Sequence, residues 1–300
     1  MLPNASTNGI LILDKPLGLT SNRCLQIVKR LLGSDKAGHT GALDPLASGV
    51  LPLCFGEATK VSQFLLDADK GYRAVIELGI ATASGDKDGE VTRWEAVPDL
   101  ALPELTTVLA GFVGAQVQEA PVYSALKQGG VPLYKLARAG QPVIPKIREI
   151  HIHTLDLLRW QKPFLEIRVN CSKGTYIRKL AEDIGIALGT VGCLAALRRE
   201  KAGPFTLEQA LTLERVEELL RVEPRQLIAC LLPLDQALSH LPALQVSEEQ
   251  TLHLRQGKRV TAGTDPITDG CLLRIYCGGI FIGLAENESG KLQPKRLLSY

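Results

Sequence analysis

Apolar and polar residues alternate most cleanly in GYRAVIELGI, where Tyr72, Ala74, Ile76, Leu78 and Ile80 fall on one face of a predicted strand, and again in FLEIRVNC. GILIL, near the start, reads as a short strand, followed by a turn at Pro16 and Gly18 and a helix capped by Thr20 or Ser21. That helix, SNRCLQIVKRLLG, places Cys24, Ile27, Val28 and Leu31 on one side and stops at Gly33. An apolar run, GVLPLCF, precedes a helix near TKVSQFLLDA, and SGDKDGE reads as a polar turn. LPELTTVLAGFVG predicts a helix from about Pro103, and TYIRKLAEDIGIALG one with Ile177, Leu180, Ala181 and Ile184 inward. Residues 121–148, rich in glycine and proline, predict an extended excursion with one short helix around Tyr134 to Arg138. From about Val246 the pattern changes to a helix and turn, two strands joined at Gly278-Gly279, and a last strand near KLQPKRLL. The expectation is an α/β (α+β) chain: a catalytic-sized domain over residues 1–240 and a small β-barrel-like domain over 246–300.

Composition narrows the class. Three hundred residues with 45% hydrophobic content can bury a sizeable core. The first residues lack a basic segment, and the apolar run Ile10–Leu13 is too short for a signal peptide or a membrane span, so a cytoplasmic protein is expected. Seven cysteines without a C-x-x-C pair fit reduced thiols. His151 and His153 would share one strand face without a third ligand at useful spacing, so no metal site is expected.

The net charge of +2 conceals segregation. Between Pro121 and Arg148 lie Lys127, Lys135, Arg138, Lys146 and Arg148 with no acid; Lys173, Arg178 and Lys179 form a second basic stretch, and Arg198, Arg199 and Lys201 a third. With Tyr123, Tyr134 and Tyr176 interleaved, this distribution points to a polyanion partner.

Two residues are awkwardly placed. Asp44, in GHTGALDPLASGVLPL, sits among small and apolar neighbours, where an ionised carboxylate is costly without a partner. It also reads as the N-cap of a helix with Pro45 at the first position. Arg178, in CSKGTYIR, falls in the first turn of a helix that Thr175 could cap, where the helix dipole disfavours a cation. Pairing Asp44 with Arg178 would resolve both. The glycines make no P-loop, since no Gly-Lys-Ser/Thr follows.

GHTGALDPLASGVLP, KPLGLTS, KGYRAVIELG, APVYSALKQGGVPLYKLARAG, CSKGTYIRKLAEDIG and LRREKAGPF are spread along the chain, and together they resemble the TruB family of bacterial tRNA pseudouridine-55 synthases. GCLLRIYCGGIFIGLAENESGKLQPKRLL is similar to the PUA-type RNA-binding module of that family. Ser48 stands where Thr is usual, and Ala120-Pro121 replaces a common Pro-Pro.

The resemblance implies a pseudouridine synthase fold: a mixed, largely antiparallel sheet flanked by helices. It implies that a uridine in the T-arm of tRNA is flipped out and isomerised without cofactor. Asp44 would attack the sugar carbon or remove the 2′ proton, Arg178 would offset its charge, and Tyr72 would lie against the uracil and take the C5 proton. His39 would fill the vacated stack, Tyr176 and Leu197 would line the uracil pocket, and Lys127 and its basic segment would hold phosphates. A monomer with no obligatory protein partner and no membrane association is expected. The competing readings are a non-catalytic RNA-binding protein on the same scaffold and a synthase directed to its target by a partner RNA. Asp44, Tyr72 and Arg178 together speak against the first, and the 121–148 segment against the second.

Overall fold

β-Strands dominate where branched and aromatic apolar residues recur at every second position. The structure, a computed structural model, describes residues 7–123, 126–263 and 267–299. Ser124 and Ala125 of the basic segment lie outside the described residues, as do the side chains of Tyr134 and Arg138.

The chain opens with β1 (Gly9–Lys15), α1 (Ser21–Leu31), β2 (Ala37–His39), β3 (Ala47–Phe55), α2 (Ser62–Asp67) and β4 (Lys70–Leu78). A hairpin of β5 (Ile80–Thr82) and β6 (Val91–Trp94) precedes α3 (Leu102–Ala110) and β7 (Gly114–Glu119). The basic excursion holds β8 (Lys127–Gln128), β9 (Val131–Pro132) and α4 (Leu133–Arg138). Then come β10 (Ile147–Gln161), β11 (Phe164–Cys171), α5 (Ile177–Ala187), β12 (Gly192–Ala202), β13 (Phe205–Thr206), α6 (Leu213–Val222) and α7 (Pro224–Ala229). Last are β14 (Ala243–Gln245), α8 (Glu248–Arg255), β15 (Val260–Thr261), β16 (Leu272–Cys277), β17 (Ile280–Glu288) and β18 (Lys291–Leu297).

The main sheet runs β1-β3-β12-β4-β11-β10-β7, with β2 beside β3 and β13 beside β12. Every pairing in it is antiparallel except β3 with β12. It is thus the mixed, largely antiparallel sheet that the resemblance implies. On one face, Ala74, Ile76, Leu165, Ile167 and Val169 pack beneath Ile177, Leu180 and Ile184 of α5 and Leu105 and Leu109 of α3. A five-stranded sheet, β14-β16-β17-β18-β15, forms the C-terminal part. Among the described residues, no helix is long and apolar enough to cross a membrane.

Strand β3 is buried on both faces. Val50 and Cys54 share a core with Ile10 and Ile12 of β1 and with Phe281, Leu284 and Leu298 of the C-terminal part. Leu51, Leu53 and Phe55 point the other way, into a core built with Cys24, Leu25 and Val28 of α1 and Val216 of α6. That double burial explains the unbroken apolar run of its sequence.

Several expectations need correction. Ile80 does not continue the face of Tyr72, because Gly79 (φ 87°) breaks the strand and Ile80 starts the β5–β6 hairpin. SGDKDGE is the polar turn expected, at the tip of that hairpin, whereas β6 and β7 were not anticipated. In α1, Leu25 is buried where Ile27 and Leu31 are only half-buried. The C-terminal sheet begins at Ala243, ahead of the change of pattern at Val246.

Gly49 marks the closest approach in the sheet. It pairs with Arg199 in the parallel β3–β12 contact, has φ 105°, and a Cβ there would lie 2.2 Å from the Arg199 carbonyl oxygen. Gly129 also has a positive φ (58°), but a Cβ there meets open space. Gly129→Ala should therefore cost about 1 kcal/mol from conformation alone, whereas Gly49→Ala should cost well over ~3 kcal/mol because strand separation must change as well. Urea denaturation of both variants measures the difference, and near-equal losses would contradict the close packing of β3 on β12.

Candidate active site

Asp44 lies in the loop between β2 and β3, and no helix follows it. Its carbonyl accepts from the Ala47 N–H (3.0 Å), so Pro45-Leu46 form a tight turn that feeds directly into β3. The helix N-cap reading of Asp44-Pro45 is thereby excluded. The loop is held from two sides. The Ser21 hydroxyl, buried at the start of α1, accepts from the Leu43 N–H (2.7 Å) and donates to the Leu43 carbonyl (3.0 Å). From the turn after β1, the Gly18 N–H donates to the Pro45 carbonyl (2.8 Å).

The Asp44 side chain is 53% exposed, while that of Arg178 is only 10% exposed. The two meet at 3.2 Å, from Arg178 Nη2 to Asp44 Oδ2. A buried guanidinium needs partners for its donors. Here Nη1 donates to the Ser84 carbonyl (3.0 Å) and lies 3.5 Å from Asp86 Oδ2, and Nη2 donates to the Tyr123 carbonyl (2.8 Å). Asp86, itself 8% exposed, accepts from the Ser84 hydroxyl (2.7 Å). Asp86 escaped the sequence reading because it sits in an unremarkable polar turn; its one signal was an acid beside a glycine.

Arg178 stands in the first turn of α5, as expected, but Thr175 does not cap that helix. The Thr175 hydroxyl donates back to the Ser172 carbonyl (3.0 Å), and Tyr176 occupies the N-cap position without a side-chain cap of its own.

Tyr72, in β4, belongs to the same apolar cluster as Leu43 and Ile177, with Leu46 and Leu197 packed against it. Burial pushes its phenol above the usual range, opposed by a hydrogen bond and positive charge from Arg199. Arg199, counted among the basic residues that point to a polyanion partner, is 1% exposed. Its guanidinium donates to the Val50 carbonyl (2.7 Å) and the Gly41 carbonyl (3.0 Å), since its backbone lies between β3 and β4. Lys15 and Lys70 are buried in the same way. Lys15 donates to the carbonyls of Pro16 (2.8 Å) and Leu19 (2.6 Å). Lys70 donates to the Leu66 (2.6 Å) and Ala68 carbonyls at the end of α2, and burial depresses its ammonium to about 8.

Of the remaining expected residues, Tyr176 is half-buried at the start of α5, and Lys127 is exposed on the β8–β9 hairpin, outside the apolar cluster. His39 ends β2 and is half-buried. Its Nδ1 is buried without a hydrogen-bond partner among the described residues. Three or more metal-ligating side chains do not come together anywhere in the described residues.

The geometry offers a half-exposed carboxylate fixed by a buried cation, beside an apolar wall carrying a phenol. Three family descriptions match the chain in succession. They are the N-terminal domain of the TruB family pseudouridylate synthases over residues 29–177, the tRNA pseudouridylate synthase B C-terminal domain over 178–239, and the pseudouridine synthase II TruB C-terminal description over 242–298. The chain is 49% identical over 295 residues to tRNA pseudouridine synthase B of Pseudomonas aeruginosa (strain UCBPP-PA14), covering 98% of this chain and 96% of that one. It is 48% identical to the enzyme of the same name from Thiobacillus denitrificans (strain ATCC 25259 / T1), covering 98% and 97%. Among solved structures, a Cbf5-Nop10-Gar1 complex superposes with a TM-score of 0.76 at 26% identity, covering 97% of this chain and 85% of that chain.

Burial, and secondarily Arg199, lowers the His39 imidazole below its usual range. Between that depressed value and about 6.5, the unfolded chain binds more protons than the native one, so stability falls as pH drops through this window. His39→Phe should therefore lose less melting temperature than the wild type between about pH 7.5 and about pH 5.5. Parallel melting curves test this, and equal losses in the two proteins would remove His39 as a source of acid sensitivity.

Proposed function

The chain belongs to the TruB family of pseudouridylate synthases, and from that premise we propose that it isomerises a uridine in the T-arm of tRNA, using Asp44 as its reactive carboxylate. The observation that carries the assignment to Asp44 is its ion pair with Arg178: the carboxylate is open to a substrate while its counter-charge is buried. A pseudouridine synthase is an isomerase. The N1–C1′ bond of the nucleotide breaks, C5 bonds to C1′, the C5 proton leaves, and N1 regains one. Asp44 begins this by attacking C1′ or by removing the 2′ proton, and either role uses a charged carboxylate held still. Arg178 supplies the fixed positive charge.

Tyr72 is proposed to lie against the uracil and to accept or relay the C5 proton. Leu197 and Tyr176 complete the uracil pocket; the packing of Leu197 against the cluster that holds Leu43 and Tyr72 supports this. A uridine within a folded loop reaches Asp44 only after leaving its stack. His39, near-neutral at physiological pH because of its burial, suits the apolar role of filling the gap. Segment 121–148, with Lys127, is proposed to contact the RNA backbone, and residues 246–300 to form a second RNA-binding unit. We propose that the enzyme acts as a monomer in the cytoplasm, without an obligatory protein partner, cofactor or metal.

Asp44→Asn keeps side-chain size and, since no helix begins there, removes no helix cap. It should abolish pseudouridine formation in an unmodified T-arm stem-loop while leaving affinity within about threefold. Mapping pseudouridine at single-nucleotide resolution is the readout, and near-wild-type activity would sink the assignment.

Lys127 and Lys135 are both exposed. Replacing them together with Ala should weaken tRNA binding and reduce the log–log salt slope by about 1.4 to 1.8, since each phosphate left without its cation accounts for about 0.7 to 0.9. An unchanged slope would move the RNA to another face of the protein.

A further inference from the structure

Helix α5 carries Arg178 but starts without a side-chain cap of its own. Its first peptide is held instead by Gln118, a residue 58 positions earlier in the chain, on edge strand β7. The Tyr176 N–H donates to Gln118 Oε1 (2.8 Å), and Gln118 Nε2 donates to the Tyr176 carbonyl (3.1 Å). Gln118 is 5% exposed, a level at which a carboxamide needs partners for both ends, and this one residue satisfies one bond at each. The Tyr176 carbonyl also accepts the first bond of the helix, from the Leu180 N–H (3.0 Å). Gln118 thus grips the chain at the point where α5 begins.

We propose that Gln118 is a positioning residue for the reaction: by holding the Tyr176 peptide it sets where Arg178 meets Asp44. This rests on the reading of Asp44 and Arg178 as the reaction centre. Arg178 follows Tyr176 by two residues, about 3 Å along the helix axis. A shift of about 1 Å at the helix start would carry the guanidinium with it and stretch the 3.2 Å ion pair beyond hydrogen-bond range. Misplacement of that size in a reacting constellation can cost about a hundredfold in rate.

The chain beyond Gln118 strengthens the inference. The Ala120 N–H bonds to the Lys146 carbonyl (2.9 Å), and the Tyr123 carbonyl accepts from Arg178 itself (2.8 Å). Residues 118–123, which lead into the basic excursion and form its first three residues, therefore touch the start of α5 twice. The segment proposed to hold RNA is fastened to the arginine proposed to hold the catalytic carboxylate. An RNA contact that displaced this segment would act on Arg178 through Gln118 and Tyr123.

The test uses the full-length protein and an unmodified tRNA transcript, with enzyme in excess for single turnover. Gln118→Met keeps side-chain length and removes both hydrogen bonds. Its single-turnover rate should fall about tenfold or more while tRNA affinity stays within about threefold, at a temperature where melting curves show it folded. In Gln118→Glu, the ionised carboxyl can accept from the Tyr176 N–H but cannot donate to the Tyr176 carbonyl; protonation restores the donor. Its rate relative to wild type should therefore recover as pH falls from about 8 to about 6. The charged residues flanking this position in chain, register and helix are Arg148 opposite it on β10, Glu119 beside it, and Lys179 and Arg178 in α5. A purely structural cap would give a lower melting point with a wild-type rate in the Met variant and no acid recovery in the Glu variant, and that result overturns the proposal. Wild-type protein that forms no pseudouridine at all would overturn the functional reading, and this inference with it.

Discussion

Burying one guanidinium organises the centre of this molecule. Arg178 is drawn out of water at the start of α5, where the helix dipole opposes it, and its donors are met by chain segments remote in sequence. Asp44 comes from the loop before β3, Ser84 and Asp86 from the β5–β6 hairpin, and Tyr123 from the entry to the basic excursion. Loss of any one leaves buried charge less well compensated, so the loops are held to one another through this side chain. The asymmetry of exposure then has a chemical meaning. The fixed charge is nearly out of reach of solvent, and the carboxylate it restrains remains half-exposed.

The same device recurs with cations that have no carboxylate as their main partner. Lys15, Lys70 and Arg199 each donate to backbone carbonyls. Lys15 serves the turn after β1, Lys70 the end of α2, and Arg199 the loop at Gly41 and the strand at Val50. Charge-assisted bonds to carbonyls are stronger than neutral ones, which offsets part of the desolvation of each cation. The depressed ammonium of Lys70 is the residue of that desolvation. Of these cations, Lys15 lies within electrostatic reach of Asp44, so a second buried positive charge acts on that carboxylate from the end of β1.

Strands with one buried face and helices with one apolar stripe were legible in the sequence, because period-two and period-3.6 patterns survive without knowledge of neighbours. So was the discomfort of Asp44 and Arg178, since an apolar loop and a helix N-terminus are local facts. What escaped was set by tertiary packing. Arg199 reads as one member of the basic run LRREK, yet its place between β3 and β4 turns it inward, away from any RNA surface. Asp86 looks like a solvated turn residue until Arg178 arrives beside it. Thr175 has the right chemistry to cap α5, but Gln118, on a strand the pattern did not reveal, holds the Tyr176 peptide instead. β6 is exposed on both faces, and β7 turns Gln116 and Gln118 inward and Val117 outward, so neither strand leaves an apolar period-two signal to find.

Holding the Asp44–Arg178 pair in place also requires that its support not yield. Asp44 stands three residues before β3, and β3 is wedged between two cores. One of these is shared with the C-terminal part: Phe281, Leu284 and Leu298 cover Val50 and Cys54 together with Ile10 and Ile12 of β1. The C-terminal sheet is therefore structurally continuous with the strand that bears the site. Removing it would expose those apolar side chains to water, at roughly 1.5–3 kcal/mol for each large one, and would free one face of the strand that follows Asp44. The packing of that sheet thus reaches the carboxylate through three residues of chain.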